Sequence, residues 1–322
     1  MSARAQTLAA DFGTRLAPVA GLALVLILAA ITAPDMFGTA SLRLILFQIG
    51  LIGITALGQT LVLLVAGIDL SIGAVIGLTA VIVAAHTDGA GSALPVAILL
   101  ALLAGLGVGL LNAGLVILRG VPPFVATFAT FVLVQGAITA ATRGAPSGAI
   151  PDGLATIGAD RVAGIPVPLL IFLGLAAALA LLLARSTVGR RLYATGLNPR
   201  AAAMSGIRTR LVTASAYVAS ALFAVLAGLV DAGYIGYVDA QLSRSLNLDS
   251  IAAAVIGGVA LTGGEGTIGQ TVCGVALLAV LLVWMLELGA GIGGQLAVEG
   301  AVILVAVLLQ RRGGGRKATP KG

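Results

Sequence analysis

Residues 44–68 read LILFQIGLIGITALGQTLVLLVAGI, with no charged side chain between Arg43 and Asp69. An α-helix rises about 1.5 Å per residue, so about 20 apolar residues cross a hydrocarbon core about 30 Å thick. Other stretches without charge are residues 16–34, 70–87, 89–118, 120–142, 162–184, 211–230, 250–264 and 266–286, and a tenth, residues 288–310, is broken only by Glu299. The sequence therefore predicts an all-α polytopic membrane protein with about ten transmembrane helices.

The composition agrees with a chain that lives in a lipid bilayer. Hydrophobic residues make up 59% of the 322 residues and charged residues only 9%, whereas about a quarter of the residues of a soluble domain are charged. The net charge is +6, but the arginines lie in short runs between apolar stretches. Basic loops beside a membrane explain this pattern, and it does not indicate nucleic-acid binding.

The distribution of Lys and Arg predicts the orientation. With a cytoplasmic N-terminus and ten spans, only Arg43, Arg143, Arg161 and Arg244 lie outside, and the other 14 of the 18 basic residues lie inside. The positive-inside rule therefore favours an N-in, C-in topology. Residues 16–34 are expected to remain as an uncleaved first span, because Ile31 and Pro34 do not fit a signal-peptidase site after Ala33.

We expect one transmembrane domain, residues 1–322, with a cytoplasmic loop at residues 185–210 and a polar tail at residues 311–322. Two stretches are rich in glycine and carry an acid, Gly67–Gly73 (GIDLSIG) and Thr262–Gly269 (TGGEGTIG). Each predicts a break in the helices, as either a tight turn or an unwound segment that lines a cavity. The run before the second is short and suggests a half-helix. Asp69 and Asp249 each precede AVIG at the same offset, so residues 43–142 and 211–310 are candidate inverted repeats.

The sequence contains no motif that indicates an enzyme. Gly264, Gly266 and Gly269 spell GxGxxG, but membrane-length apolar runs replace the βαβ unit that a dinucleotide fold requires. The only lysines, Lys317 and Lys321, lie in the polar tail, so no P-loop can form. The sequence thus predicts neither an ATPase site of its own, nor a cofactor, nor a metal site. Glu299 is an intramembrane acid, with either a proton-coupling role or a helix contact.

Five segments carry a resemblance to a known family. They are Gln59–Leu78 (QTLVLLVAGIDLSIGAVIGL), Gly109–Leu118 (GLLNAGLVIL), Val121–Thr130 (VPPFVATFAT), Gly189–Ile207 (GRRLYATGLNPRAAAMSGI) and Leu248–Gly269 (LDSIAAAVIGGVALTGGEGTIG). In this order they resemble the membrane permease subunits of ribose-type sugar ABC importers, within the branched-chain and sugar permease superfamily. Glu265 is a departure, because the family often has a basic or neutral residue there.

The resemblance implies a permease homodimer in the bacterial inner membrane, fed by a periplasmic sugar-binding protein and driven by a cytoplasmic ATP-binding subunit. It also implies that Leu192–Ile207 forms the coupling helix. Asn198 and Pro199 agree with this locally, since they are typical of a helix start. The coupling residues expected from the resemblance are Arg190, Arg191, Tyr193, Asn198, Pro199, Arg200, Ser205 and Gly206.

A path for a neutral sugar needs hydroxyl and amide groups, and several lie among apolar neighbours in the first half of the chain. They are Gln59, Thr60, Asp69, Ser71, Asn112, Thr127 and Thr130. Some of them are expected to bond neighbouring helices instead. The hypothesis is a monosaccharide permease. The alternatives are a nucleoside or branched-chain amino acid permease, an ion-coupled transporter in which Asp69 or Glu299 titrates, and a receptor-like protein without transport.

Overall fold

The computed structural model describes residues 3–237 and 245–314, and the side chains of residues 17–237 and 245–308. Its helices are α1 (Ala3–Thr32), α2 (Thr39–Leu64), α3 (Ile72–Thr87), α4 (Leu94–Leu118), α5 (Pro123–Thr142), α6 (Ala155–Gly158), α7 (Val167–Arg185), α8 (Thr187–Leu197), α9 (Pro199–Met204), α10 (Thr209–Ile235), α11 (Leu246–Gly257), α12 (Ile268–Glu287) and α13 (Ile292–Gly314). Two short strands, β1 (Arg161–Val162) and β2 (Ile165–Pro166), form an antiparallel ribbon before α7.

The helices agree with the pattern of uncharged runs. Within the described residues, α2, α4, α5, α7, α10 and α12 are long and apolar enough to cross a membrane, and shorter apolar helices cover residues 17–32, 72–87, 246–257 and 292–308. Each of the ten runs therefore contains one helix. The all-α membrane fold is confirmed, while the count of ten crossings and the N-in, C-in orientation stay predictions.

Two long helices form the centre of the molecule. Helix α10 packs against α2, α3 and α4, and α2 also contacts α7, α11 and α12. Outer helices turn large apolar side chains outward, such as Leu103 on α4 and Leu133 on α5. In a bilayer such faces meet lipid, because lipid tails are as apolar as leucine.

Glycines let the central helices approach each other closely. A Cβ at Gly109 of α4 would lie 2.8 Å from the Cα of Val218 on α10. A Cβ at Gly228 of α10 would lie 2.9 Å from the carbonyl oxygen of Ile76 on α3. Small residues at such crossings replace the hydrophobic driving force that membrane helices lack. They bring the polar side chains of α10 within reach of the start of α3.

The two predicted breaks in the helices are present. The chain is not α-helical at residues 65–71, between α2 and α3, or at residues 258–267, between α11 and α12. We call them the first and the second interruption. The half-helix expected before the second interruption is α11, which has 12 residues.

Each interruption begins with the same helix-ending motif. After α2, Gly67 N–H donates to Val62 O over 2.9 Å and Ala66 N–H to Leu63 O over 2.8 Å. After α11, Val259 and Gly258 bond back to Ala254 and Val255 in the same way. This is the Schellman arrangement, whose last turn needs a left-handed residue. Gly258 fills that position after α11, and Ala66, with φ of 59°, fills it after α2.

Two boundaries differ from the sequence prediction. The uncharged runs 211–230 and 250–264 predict one helix that ends near residue 230 and another that begins near residue 250, but α10 extends to Ile235 and α11 begins at Leu246. The coupling helix expected at Leu192–Ile207 is divided into α8 and α9, because Asn198 ends one helix and caps the next. Residues 238–244, with Arg244, and residues 315–322 of the polar tail lie outside the described residues. The inverted repeat stays a prediction.

Candidate functional site

The first interruption is organised around the carboxylate of Asp69, which is fully buried. Its Oδ1 accepts hydrogen bonds from the backbone N–H of Ser71 over 2.9 Å and from the Ser71 hydroxyl over 2.6 Å. The first of these is an Asx-turn, a local way in which an aspartate shapes its own backbone. The Ser220 hydroxyl of α10 donates to Oδ2 over 2.8 Å. The carboxylate is thereby held by neutral donors at the start of α3, where the helix dipole favours negative charge.

Neighbouring helices complete this network. Asn112 of α4 donates from Nδ2 to the Ser71 hydroxyl over 2.8 Å. Thr127 of α5 donates to the carbonyl oxygen of Ile68 over 3.1 Å and to that of Pro123 over 2.9 Å. Four of the seven predicted pathway residues, Asp69, Ser71, Asn112 and Thr127, are thus brought together around one interruption.

The other three lie elsewhere. The hydroxyl of Thr60 is 2.8 Å from that of Thr271 on α12, and Thr130 donates to the carbonyl oxygen of Ala126 over 3.0 Å. Neither nitrogen nor oxygen of the Gln59 amide has a hydrogen-bond partner among the described residues. All seven side chains are at most 1% exposed. They therefore lie inside the single chain in this conformation, and their role in a solute pathway stays a prediction.

Sequence reasoning missed several polar residues at this site. Ser220 lies 151 residues from Asp69 in the chain, so no spacing in the sequence links them. Tyr217, one turn earlier on α10, is fully buried, and its hydroxyl has no partner among the described residues. A Cβ at Gly67 would lie 2.6 Å from that hydroxyl, so Tyr217 points at the first interruption. The sequence does hold one indication of them, because Tyr217 and Ser220 are polar and lie three residues apart, on one face of an otherwise apolar helix.

A second acidic position, Asp249, lies in the first turn of α11. Asp249 is 6% exposed and is hydrogen-bonded to Glu299 of α13, which is 3% exposed. Two carboxyl groups can share a hydrogen bond only when one of them carries a proton. Glu299 therefore makes the helix contact that was one of its two expected roles. Asn247 of α11 accepts from the backbone N–H of Gly73, which links α11 to α3.

The loop 185–210 forms a compact pair of helices. The Ser186 hydroxyl accepts from the N–H groups of Val188 and Gly189, and the Asn198 side chain accepts from those of Arg200 and Ala201 over 3.1 and 3.0 Å. Both are N-caps, and Pro199 occupies the first helical position as the sequence predicts. The remaining predicted coupling residues except Tyr193 are exposed. They are Arg190, Arg191, Arg200, Ser205 and Gly206.

Tyr193 faces inward instead. Its hydroxyl donates to the carbonyl oxygen of Gly266 in the second interruption over 2.8 Å. Burial raises the pKa of the Tyr193 hydroxyl, so this group stays protonated and acts as a donor at physiological pH. Seven of the eight predicted coupling residues are thus available at the surface, and the eighth ties the loop to the membrane part.

Comparison with known proteins decides the family. Residues 41–309 match the family described as the permease component of the branched-chain amino acid transport system. The chain belongs to this permease family. Because its relatives are import permeases and it has several apolar helices, the permease is a multi-pass protein of the bacterial inner membrane. No solved structure gives a significant match.

Curated relatives of the permease are import permeases of two kinds. The ribose import permease protein RbsC of Bacillus subtilis is 35% identical over 302 residues, which cover 92% of this chain and 93% of the relative. RbsC of Haemophilus influenzae is 33% identical and covers the same shares. The autoinducer 2 import system permease protein LsrC of Photorhabdus luminescens is 36% identical over 243 residues, 75% of this chain and 73% of the relative. These similarities favour the importer hypothesis over an ion-coupled transporter.

Proposed function

We propose that the permease is the transmembrane subunit of an ATP-binding-cassette importer that carries a monosaccharide of the ribose type into the cytoplasm. The observation that carries the proposal is the similarity to two ribose import permeases along 92% of the chain. Relatives named for autoinducer 2 import lie within the same range of identity. Both names describe import of a solute, and the ribose permeases match the larger share of this chain.

Energy for transport would come from a separate cytoplasmic ATP-binding subunit. The chain has no lysine outside its polar tail, and a P-loop requires one. The α8–α9 pair is the proposed docking element, since it exposes Arg190, Arg191 and Arg200, and Met204 is 90% exposed. An open depression of about 410 Å³, lined in part by Arg191 and Arg208, lies beside it. Arginine forks suit acidic groups on a partner.

The solute would arrive from a periplasmic sugar-binding protein and cross between two copies of the permease. The seven candidate residues are buried inside the single chain, so a solute would reach them only after the helices move apart. In this proposal Asp69, Ser71, Asn112 and Thr127 shape the first interruption, which moves when the transporter changes state. The other pathway candidates, which are polar side chains among apolar neighbours, are Gln59, Thr60 and Thr130.

Reconstitution tests the proposal. The permease is placed in liposomes with its ATP-binding subunit and its solute-binding protein, and uptake of labelled D-ribose is compared with uptake of uridine and leucine. We expect ATP-dependent uptake of ribose that an uncoupler does not reduce. Uptake that persists without the ATP-binding subunit, or that an uncoupler abolishes while ATP is present, would contradict the importer mechanism. Preferred uptake of uridine or leucine would keep the mechanism and change the solute.

A further inference from the structure

The end of α8 lies directly on the backbone of both interruptions. A Cβ at Gly196 would collide with the carbonyl oxygen of Leu64, the last residue of α2, and would lie 2.5 Å from the backbone nitrogen of Gly264. Contacts this short exclude every side chain at position 196 unless the backbone moves. The helix therefore meets the interruptions main chain to main chain, with no flexible side chain between them.

The two groups that Gly196 touches are bonded to each other. Gly264 N–H donates to Leu64 O over 2.9 Å, and this hydrogen bond joins the second interruption to the end of α2. Next to it, a Cβ at Gly263 would lie 2.6 Å from the Cβ of Ala66. The first interruption, the second interruption and the end of α8 thus share one junction, which we call the backbone junction, formed by Leu64, Ala66, Gly196, Gly263 and Gly264.

Tyr193 adds a second attachment on the same face of α8. It precedes Gly196 by three residues, a spacing that places both on one side of a helix. Its hydroxyl bonds the carbonyl oxygen of Gly266 over 2.8 Å. Two points of contact, rather than one, fix both the position and the tilt of α8 against the second interruption.

The opposite face of the same element is free for a partner. Arg191 of α8 and Arg200 of α9 are exposed, while Gly196 and Leu192 are buried. A short helix that is clamped at its inner face moves as a body when its outer face is displaced, because packed protein has low compressibility. A shift applied at the arginines would therefore reach both interruptions at once.

We propose that Tyr193 and Gly196 are positioning residues that transmit movement of the docked α8–α9 pair to both interruptions, and so link ATP hydrolysis to opening of the solute path. The inference rests on the proposed function. It assigns transmission to the inner face of α8 and docking to the outer face. The two faces are therefore separable by substitution.

The test uses the reconstituted complex of permease, ATP-binding subunit and solute-binding protein, with D-ribose as the probe. Variants Gly196→Ala and Tyr193→Phe are compared with the wild type in ribose uptake, ATP hydrolysis and yield of assembled complex. We expect uptake to fall by about tenfold for Gly196→Ala, because an inserted methyl group forces the backbone apart. Loss of one hydrogen bond in Tyr193→Phe lowers uptake by about threefold. ATP hydrolysis and assembly stay within about twofold of wild type if only transmission is lost, so more ATP is hydrolysed per ribose transported.

Matched controls separate transmission from general damage. Gly174→Ala adds the same methyl group on α7 where no atom lies within 4 Å, and Tyr237→Phe removes a hydroxyl from a side chain that is 58% exposed. Both should transport as the wild type does. Tyr193→Phe keeps the ring in place, so it tests the inference even if Gly196→Ala fails to fold.

Two outcomes overturn the inference. If the ATP hydrolysed per ribose is unchanged in both variants while uptake and hydrolysis fall together, the inner face of α8 serves docking or folding alone. If both variants transport at the wild-type rate, the junction transmits nothing. Failure of the wild type itself to take up any of ribose, uridine and leucine is a different result, because it removes the proposed function on which the inference rests.

Discussion

The two interruptions solve the same problem with different groups. In the first, the chain that leaves the helix is held by side chains, since Asp69 accepts from Ser71 and Ser220 and Thr127 bonds the backbone of Ile68. In the second, it is held largely by main-chain geometry, to which the Tyr193 hydroxyl adds one side-chain hydrogen bond at the carbonyl oxygen of Gly266. Gly263, Gly264 and Gly266 all have positive φ, and the nitrogen of Gly264 bonds Leu64 directly. Helix breaks inside a membrane must satisfy every freed polar group, and the comparison shows that a buried acid or a set of glycines can do so.

The largest expected effect comes from removing the acid of the first interruption. Asp69→Ala leaves two hydroxyls and one backbone N–H without their acceptor in a fully buried place. Each unsatisfied buried group costs about 1–3 kcal/mol, so we expect a loss of several kcal/mol and little folded protein. Yield and thermal unfolding in detergent measure this. Asp69→Asn retains one acceptor oxygen, so its yield and thermal stability should lie between those of Asp69→Ala and the wild type. Equal stability of Asp69→Ala and the wild type would contradict the view that side chains hold this segment.

Substitution of a glycine in the second interruption should destabilise the protein. Gly264→Ala places a methyl group at φ of 72° and against Leu197, whose backbone nitrogen would lie 2.7 Å away. We expect a loss of about 2–3 kcal/mol in the free energy of unfolding, because left-handed strain and overpacking add. Gly289→Ala is the matched control, since its φ is 74° and no atom lies near its Cβ. That variant carries only the left-handed strain, so its free energy of unfolding should fall by about 1 kcal/mol. If both variants unfold alike, the contact with α8 contributes nothing.

The smallest effect is expected at the acid pair on α11 and α13. Glu299→Gln keeps a hydrogen-bond donor to Asp249 and removes the need for a shared proton. Stability should change by less than about 1 kcal/mol, and ATP-dependent ribose uptake should stay within about threefold of wild type. Glu299→Leu, which cannot bond Asp249, is the comparison variant and should be clearly less stable. Loss of uptake in Glu299→Gln with unchanged stability would restore the proton-coupling role that the sequence left open.

Much of the fold follows from patterns that the sequence makes explicit. Runs without charge predict where helices lie, and glycine clusters predict where two of them stop. Asn198 followed by Pro199 predicts the start of α9 because both residues act on their own backbone. These are local effects, and local effects can be read from neighbouring residues.

Contacts between distant segments could not be predicted in this way. Nothing in the sequence pairs Ser220 with Asp69 or Glu299 with Asp249, because those pairs depend on which helices are neighbours. Polar residues among apolar neighbours form the same sequence pattern in a pore wall and in a buried network, and Asp69, Ser71 and Asn112 belong to a buried network.

The caps of the α8–α9 pair bear on how fast a partner could bind. Ser186 and Asn198 satisfy the first N–H groups of the two helices from within the chain, so this surface has its shape before anything docks. A preformed surface loses little conformational entropy on association. Docking at α8–α9 would then be limited by collision and orientation rather than by folding, and a partner could leave and return in each transport cycle without the permease having to rebuild the contact.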